Sequence, residues 1–338
     1  MDKAKSFVQK NLGTIIGAVV LTLVFFIVPN KGVVNAYIMK VINLGLIYFV
    51  AVAGLCVILG MGGQPTFSTA GMMGLGAYSV ALLTTLKGWA PIPALLVSVL
   101  WVTLFSVVMG LALFRLKGSY FSFASIGFTS LIFTVLTNWL SLTGGPDGIK
   151  NIPRLGIGNL VCQNYYDYFR VLFFIALACY LIVQRIRKSY LGRALGCVRD
   201  NEIAAQCMGI NAYRTKVISF VIAGAFAAFA GGLYALHERY ISPAPFQYDQ
   251  SAIYLIMIML GGVNSTGGAL IGSLFMTWLP ERIRFLAAYS RLIYGIGVII
   301  LMNVMPMGIM GLVDNFRYKM RKKMKKNQSA ETPVKEAE

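Results

Sequence analysis

The chain has 338 residues, 57% of them hydrophobic and only 12% charged, which excludes an ordinary soluble domain, where about 25% would carry charge. Its formal net charge of +18 would suggest nucleic acid in a soluble protein, but here the cations fall mostly in short loops and the tail, where membrane topology and anionic lipid account for them. One histidine, His237, leaves a Ser-His-Asp triad or a histidine metal site without support.

In chain order, Lys3, Lys5 and Lys10 precede an apolar run from Leu12 to Val28. That run ends in Pro29-Asn30-Lys31-Gly32 rather than a small-residue cleavage site, so it reads as a retained first span. Further runs of spanning length lie at 41–60, 66–86, 92–114, 119–140, 169–184, 217–236 and 291–312, with the first placed at 12–29. A block at 248–281 is interrupted by Gly261-Gly262-Val263-Asn264-Ser265-Thr266-Gly267-Gly268 and reads as two short spans joined by a glycine turn. The alternative is one long broken helix, giving nine spans. Charge favours ten. Both the N-terminus and the basic stretch Arg317–Lys326 belong inside, which requires an even number, and ten spans put 20 of the 30 Lys/Arg in cytoplasmic segments. The expected fold class is all-α: a polytopic membrane protein of about ten transmembrane helices with both termini cytoplasmic. Residues 1–316 are expected to form one transmembrane domain, and 317–338 a basic, then polar, disordered tail.

The largest cytoplasmic segment, 185–216, carries seven Lys/Arg against Asp200 and Glu202. It reads as an amphipathic helix, with Ile203, Met208 and Ile210 near one face and Ala204 and Ala205 between them. The rival reading is an interfacial helix lying on anionic lipid through Arg193 and Arg199. Cys56, Cys162, Cys179, Cys197 and Cys207 have no metal-ligand spacing and imply no disulfide framework, so no metal or cofactor is expected. Asp147, Asp167, Asp249, Glu238 and Glu281 all fall in loops or at helix ends, and no G-x-x-x-x-G-K-[ST] occurs. A transporter with neither an ion-coupling residue nor a nucleotide site must take its energy from a partner.

Four stretches resemble the LivM-type permease subunits of branched-chain amino acid ABC importers. They are Leu59–Tyr78 (LGMGGQPTFSTAGMMGLGAY), Leu142–Ile149 (LTGGPDGI), Gly192–Asn211 and Leu260–Gly268 followed by Gly272. The resemblance implies a transport subunit, not an enzyme, in the bacterial cytoplasmic (inner) membrane. Its implied partners are a second, LivH-like permease, two ABC ATPase subunits and an extracytoplasmic substrate-binding protein, with membrane lipid around it and no nucleic acid. It implies ATPase coupling through Gly192, Arg193, Arg199, Glu202, Ala204, Ala205 and Gly209. Ala204, Ala205 and Gly209 fit the family's docking spacing; the Glu expected before the alanines is Ile203 here, with Glu202 one place earlier. The broken stretch with Gly62, Gly63, Gln64, Pro65, Ser68 and Thr69 is expected on the translocation path, because freed backbone groups in a membrane line a cavity. Relatives often carry a histidine near Ser68-Thr69, and this chain does not. Thr143, Gly144, Gly145, Pro146, Asp147 and Gly148 are expected on the face that receives the binding protein. The implied cargo is leucine, isoleucine or valine. The same machinery importing urea, short amides or another neutral amino acid is the first alternative, and a stand-alone channel or secondary carrier the second.

Overall fold

A computed structural model describes residues 35–282 apart from Lys117, Gly158, Asn159 and Gln163, together with the single positions Gly295 and Gly308. The run at 12–29, the rest of 291–312 and the tail 317–338 lie outside the described residues. The regular structure described is helical except for one antiparallel ribbon with strands of two residues, β1 (Gly156–Ile157) with β2 (Leu160–Val161), and an isolated bridge between Ile149 and Ile241. The helices are α1 (Ala36–Leu55), α2 (Thr69–Thr85), α3 (Pro91–Leu113), α4 (Ser119–Asn138), the short α5 (Leu140–Thr143), α6 (Tyr165–Lys188), α7 (Tyr190–Asp200), α8 (Glu202–Cys207), α9 (Ala212–Glu238), α10 (Tyr248–Gly261) and α11 (Thr266–Arg282). Five are long and apolar enough to cross a membrane: α1 with its continuation to Met61, α3, α4, α6 and α9. The end of the bundle that bears the 185–216 loop is called inner below, and the opposite end outer.

Burial sorts the helices. In α1, Phe49 through Ala53, Leu55 and the following Cys56 to Ile58 are wholly buried, so this helix is the centre of the bundle. By contrast α3 turns Leu96, Leu100, Trp101, Leu104 and Val108 outward, as a lipid-facing helix should. α9 crosses α1, α2 and α3 through small residues. A side chain on Gly231 would strike the backbone of Met73, one on Gly76 the backbone of Ala228, and one on Gly224 the Ser106 side chain. Lipid supplies no hydrophobic drive between helices, so close backbone approach and dispersion must hold them together. The outer ends of α1 and α9 are joined by Lys40 Nζ to Glu238 Oε2 at 2.8 Å.

Two membrane helices are interrupted. α1 ends in a π-helical turn, Cys56–Met61, and the chain then runs without helix to Thr69. At the second break α10 stops at Gly261, Gly262 adopts φ 107°, and α11 begins at Thr266. The glycine interruption in 248–281 therefore separates two helices, of 14 and 17 residues, rather than kinking one. Gly261 and Gly268 touch backbone to backbone, an approach that no other residue allows.

Candidate functional site

The first break is held by hydroxyls. With no helix to satisfy them, the polar backbone groups of 62–68 need partners inside the bilayer. Ser122 donates to the Pro65 carbonyl at 2.9 Å and Thr129 to the Phe67 carbonyl at 2.7 Å. Ser125 accepts from the Phe67 N–H, and Ser251 on α10 accepts from the Ala70 N–H, both at 2.9 Å. Within the stretch, Thr66 and Ser68 share a 2.9 Å hydrogen bond. Of the residues expected on a path, Gly62, Ser68 and Thr69 are buried, Gly63 and Gln64 half-buried, and Pro65 exposed. Sequence reasoning found the break and missed its supports. The signal was Ser122, Ser125 and Thr129 at spacings of three and four, which puts three hydroxyls on one face of α4.

The inner loop forms two helices where one was expected. Asn201 divides them: its backbone is extended, and its side chain caps α8 by accepting the Ala204 N–H at 3.0 Å. Gly209 closes α8 with φ 81°. Ala205 is buried, whereas Ile203 and Met208 are 76% and 82% exposed. Two apolar side chains thus stand open at the tip of a charged loop. Glu202 is joined to Lys216 at 2.7 Å, which fixes the start of α8 to the start of α9. Arg193 donates to the Lys188 carbonyl at 2.8 Å, and Gly192 lies against the Ile186 and Arg187 carbonyls, so both shape the α6–α7 corner.

Arg199 joins this loop to both breaks. Its Nη1 lies 3.1 Å from the Gly60 carbonyl and 3.1 Å from Asn264 Oδ1 in the glycine turn. Its aliphatic stem fills the space beside Gly63, at φ 65°, and Asp200 takes its remaining donors at 3.1 Å. Sequence reasoning named Arg199, Gly63 and the glycine turn separately; only the fold brings them together.

At the outer end, Thr143 donates to the Leu136 and Trp139 carbonyls, and Gly144, Gly145 and Gly148 all have positive φ. Pro146 and Asp147 are exposed, and Asp147 accepts no hydrogen bond among the described residues. Ile149 pairs with Ile241 through two backbone bonds of 2.9 and 3.1 Å, which anchors this loop to the segment leading into α10. Beside it lies a depression of about 960 Å³ lined by Lys150, Arg154, Tyr165, Tyr168, Glu238 and Arg239. Cys162, in the same outer loop, is half-buried, and burial pushes its thiol above the ordinary value.

A helical bundle with lipid-facing surfaces, two interrupted helices and a charged loop tied to both interruptions defines a multi-pass membrane protein of the transport class. The family described as branched-chain amino acid transport system / permease component matches residues 37–302, and the chain belongs to it. It is 28% identical to the high-affinity branched-chain amino acid transport system permease protein LivM of Escherichia coli (strain K12), over 88% of this chain and 74% of that protein. Identity to the LivM of Salmonella typhimurium (strain LT2) is 30%, covering 78% of this chain and 68% of the relative. It is also 28% identical to the LivH permease protein of Escherichia coli (strain K12), over 52% of this chain and 60% of LivH. No solved structure matches.

Proposed function

We propose that the chain is the transmembrane permease subunit of an ATP-driven ABC importer for leucine, isoleucine and valine in the bacterial cytoplasmic membrane. The family match across residues 37–302, with LivM relatives aligned over most of the chain, carries this reading. The subunit has ten spans with both termini cytoplasmic and pairs with a LivH-like permease, two ATPase subunits and an external binding protein. Similarity to both LivM and LivH supports a pore of two related halves. The exposed Ile203 and Met208 beside the buried Ala205 suit a helix that docks in a cleft of an ATPase. Closure of the paired ATPases moves α7 and α8, and Arg199 passes that movement to the Gly60 carbonyl and to Asn264, where the helices are interrupted. The broken stretch 62–68 lies along the path. The loop 143–148 receives the loaded binding protein, which sets most of the cargo choice.

The test is uptake of labelled leucine, with labelled urea in parallel, in cells with and without this gene and with ATP depleted. The reading expects ATP-dependent leucine uptake that disappears on deletion. Loss of urea uptake alone would change the cargo, and no loss of either would overturn the reading.

A further inference from the structure

α10 begins deeper than its sequence suggests. After α9 the chain turns back: Ile241 is tied to Ile149 at the outer end, and five residues later Phe246 packs on Gly74 of α2. The Phe246 ring also meets Tyr78 and Tyr234, with centroids 6.2 and 5.9 Å apart. Gly74 is eleven residues from the outer end of α2 at Thr85, about 16 Å at 1.5 Å per residue. The bond from the Ala70 N–H to Ser251 fixes the first turn of α10 at the same depth as the first turn of α2. The 14 residues of α10, about 21 Å, then reach only the inner end, where the Val263 carbonyl lies against Gly60.

Asp249 sits in that first turn and is exposed, although Ser251 two residues on is wholly buried. It forms no ion pair among the described residues. No Lys or Arg occurs between Arg239 and Arg282, nor from Val41 to Leu86, nor in α4, so the described helices packed around α10 bring it no cation at this depth. A carboxylate in the middle of a bilayer must face water or an opposite charge, because lipid chains solvate neither it nor its counter-ion. The path of a two-half pore is the water available at that depth. A branched-chain amino acid is a zwitterion with an apolar side chain, so its one cationic group is the ammonium.

We propose that Asp249 lines the aqueous path and receives the ammonium group of the amino acid as it passes. This rests on the reading of the chain as an amino-acid permease. A single water-exposed carboxylate binds weakly, which suits a carrier that must also release its cargo.

The experiment uses the assembled importer in proteoliposomes, with Asp249→Cys treated with a charged, water-soluble methanethiosulfonate and modification at position 249 read by mass spectrometry. Modification that leucine-loaded binding protein and ATP slow several-fold is the expected result. Asp249→Asn should lower leucine uptake about 10- to 100-fold, the loss of a charge-assisted hydrogen bond, with binding-protein-stimulated ATP hydrolysis retained, and Asp249→Glu should restore most uptake. Reaction with only a lipid-soluble maleimide, or with no reagent in a correctly assembled complex, would overturn the placement. It would mean that the residue faces lipid or is covered by the second permease. Modification indifferent to leucine would overturn the place of residue 249 on the cargo's path, and normal uptake by Asp249→Asn would overturn the ammonium contact. Failure of the underlying reading is distinct, because the unmutated importer itself would then move no leucine.

Discussion

Arg199 is the residue on which the inner end depends. One guanidinium nitrogen serves two acceptors in different helix interruptions, Gly60 O and Asn264 Oδ1, and the fork holds Asp200 as well. Arg199→Ala removes the link and leaves the remainder of the loop, including the Glu202–Lys216 pair, in place. Uptake should then fall roughly 5- to 150-fold, the range of ordinary coupling energies, while ATP hydrolysis continues. Arg199→Lys should recover little, since a single ammonium on a flexible stem cannot reproduce the planar fork. Measuring uptake and ATP hydrolysis on the same reconstituted complex checks both. Equal loss of the two activities would point to failed assembly instead.

At the scale of elements, the interruption before α2 persists because neighbouring helices supply the hydrogen bonds that the missing helix does not. Ser125 from α4 accepts from the Phe67 N–H within the interruption, and Ser251 from α10 accepts from the Ala70 N–H in the first turn of α2. Ser251→Ala leaves the buried Ala70 N–H without its acceptor and Ser125→Ala the half-buried Phe67 N–H, and each should cost about 1–3 kcal/mol. Thermal unfolding of the detergent-purified complex measures the loss. Ser130→Ala, at a half-buried position on the same helix as Ser125, should stay within about 0.5 kcal/mol. Equal shifts for all three would remove the special role of the Ser125 and Ser251 hydroxyls.

For the whole molecule, the arrangement makes a prediction about sides. The glycine turn at Asn264 meets Arg199 of the charged loop, so the two must face the same compartment. The described residues of the connection 139–164, Cys162 among them, lie at the opposite end. A reporter fused near Asn264 should be active only in its cytoplasmic form, and Cys162 should react with impermeant maleimide from outside. That reaction should be slow at neutral pH and quicken as pH rises, because burial raises the Cys162 thiol and a group so shifted loses its proton later than a free one. Labelling of Cys162 from the cytoplasmic side would reverse the topology.

Much of this was legible in the chain itself. Apolar runs of spanning length placed α1, α3, α4, α6 and α9, because a backbone in lipid can satisfy its polar groups only by closing its own helix. Gly209 and the 261–268 glycines marked real helix ends, since positive φ and backbone contact exclude other residues. Local sequence could not show that the inner loop divides at Asn201, where an apolar periodicity continues through a cap. Nor could it show what meets across long separations: Arg199 with Asn264, Ser251 with Ala70, Phe246 with Gly74. Asp249 illustrates the difference. The sequence determined that it opens a helix, but depth is a property of packing, and only the descent of residues 241–247 along α2 decided that this helix starts partway along the bundle.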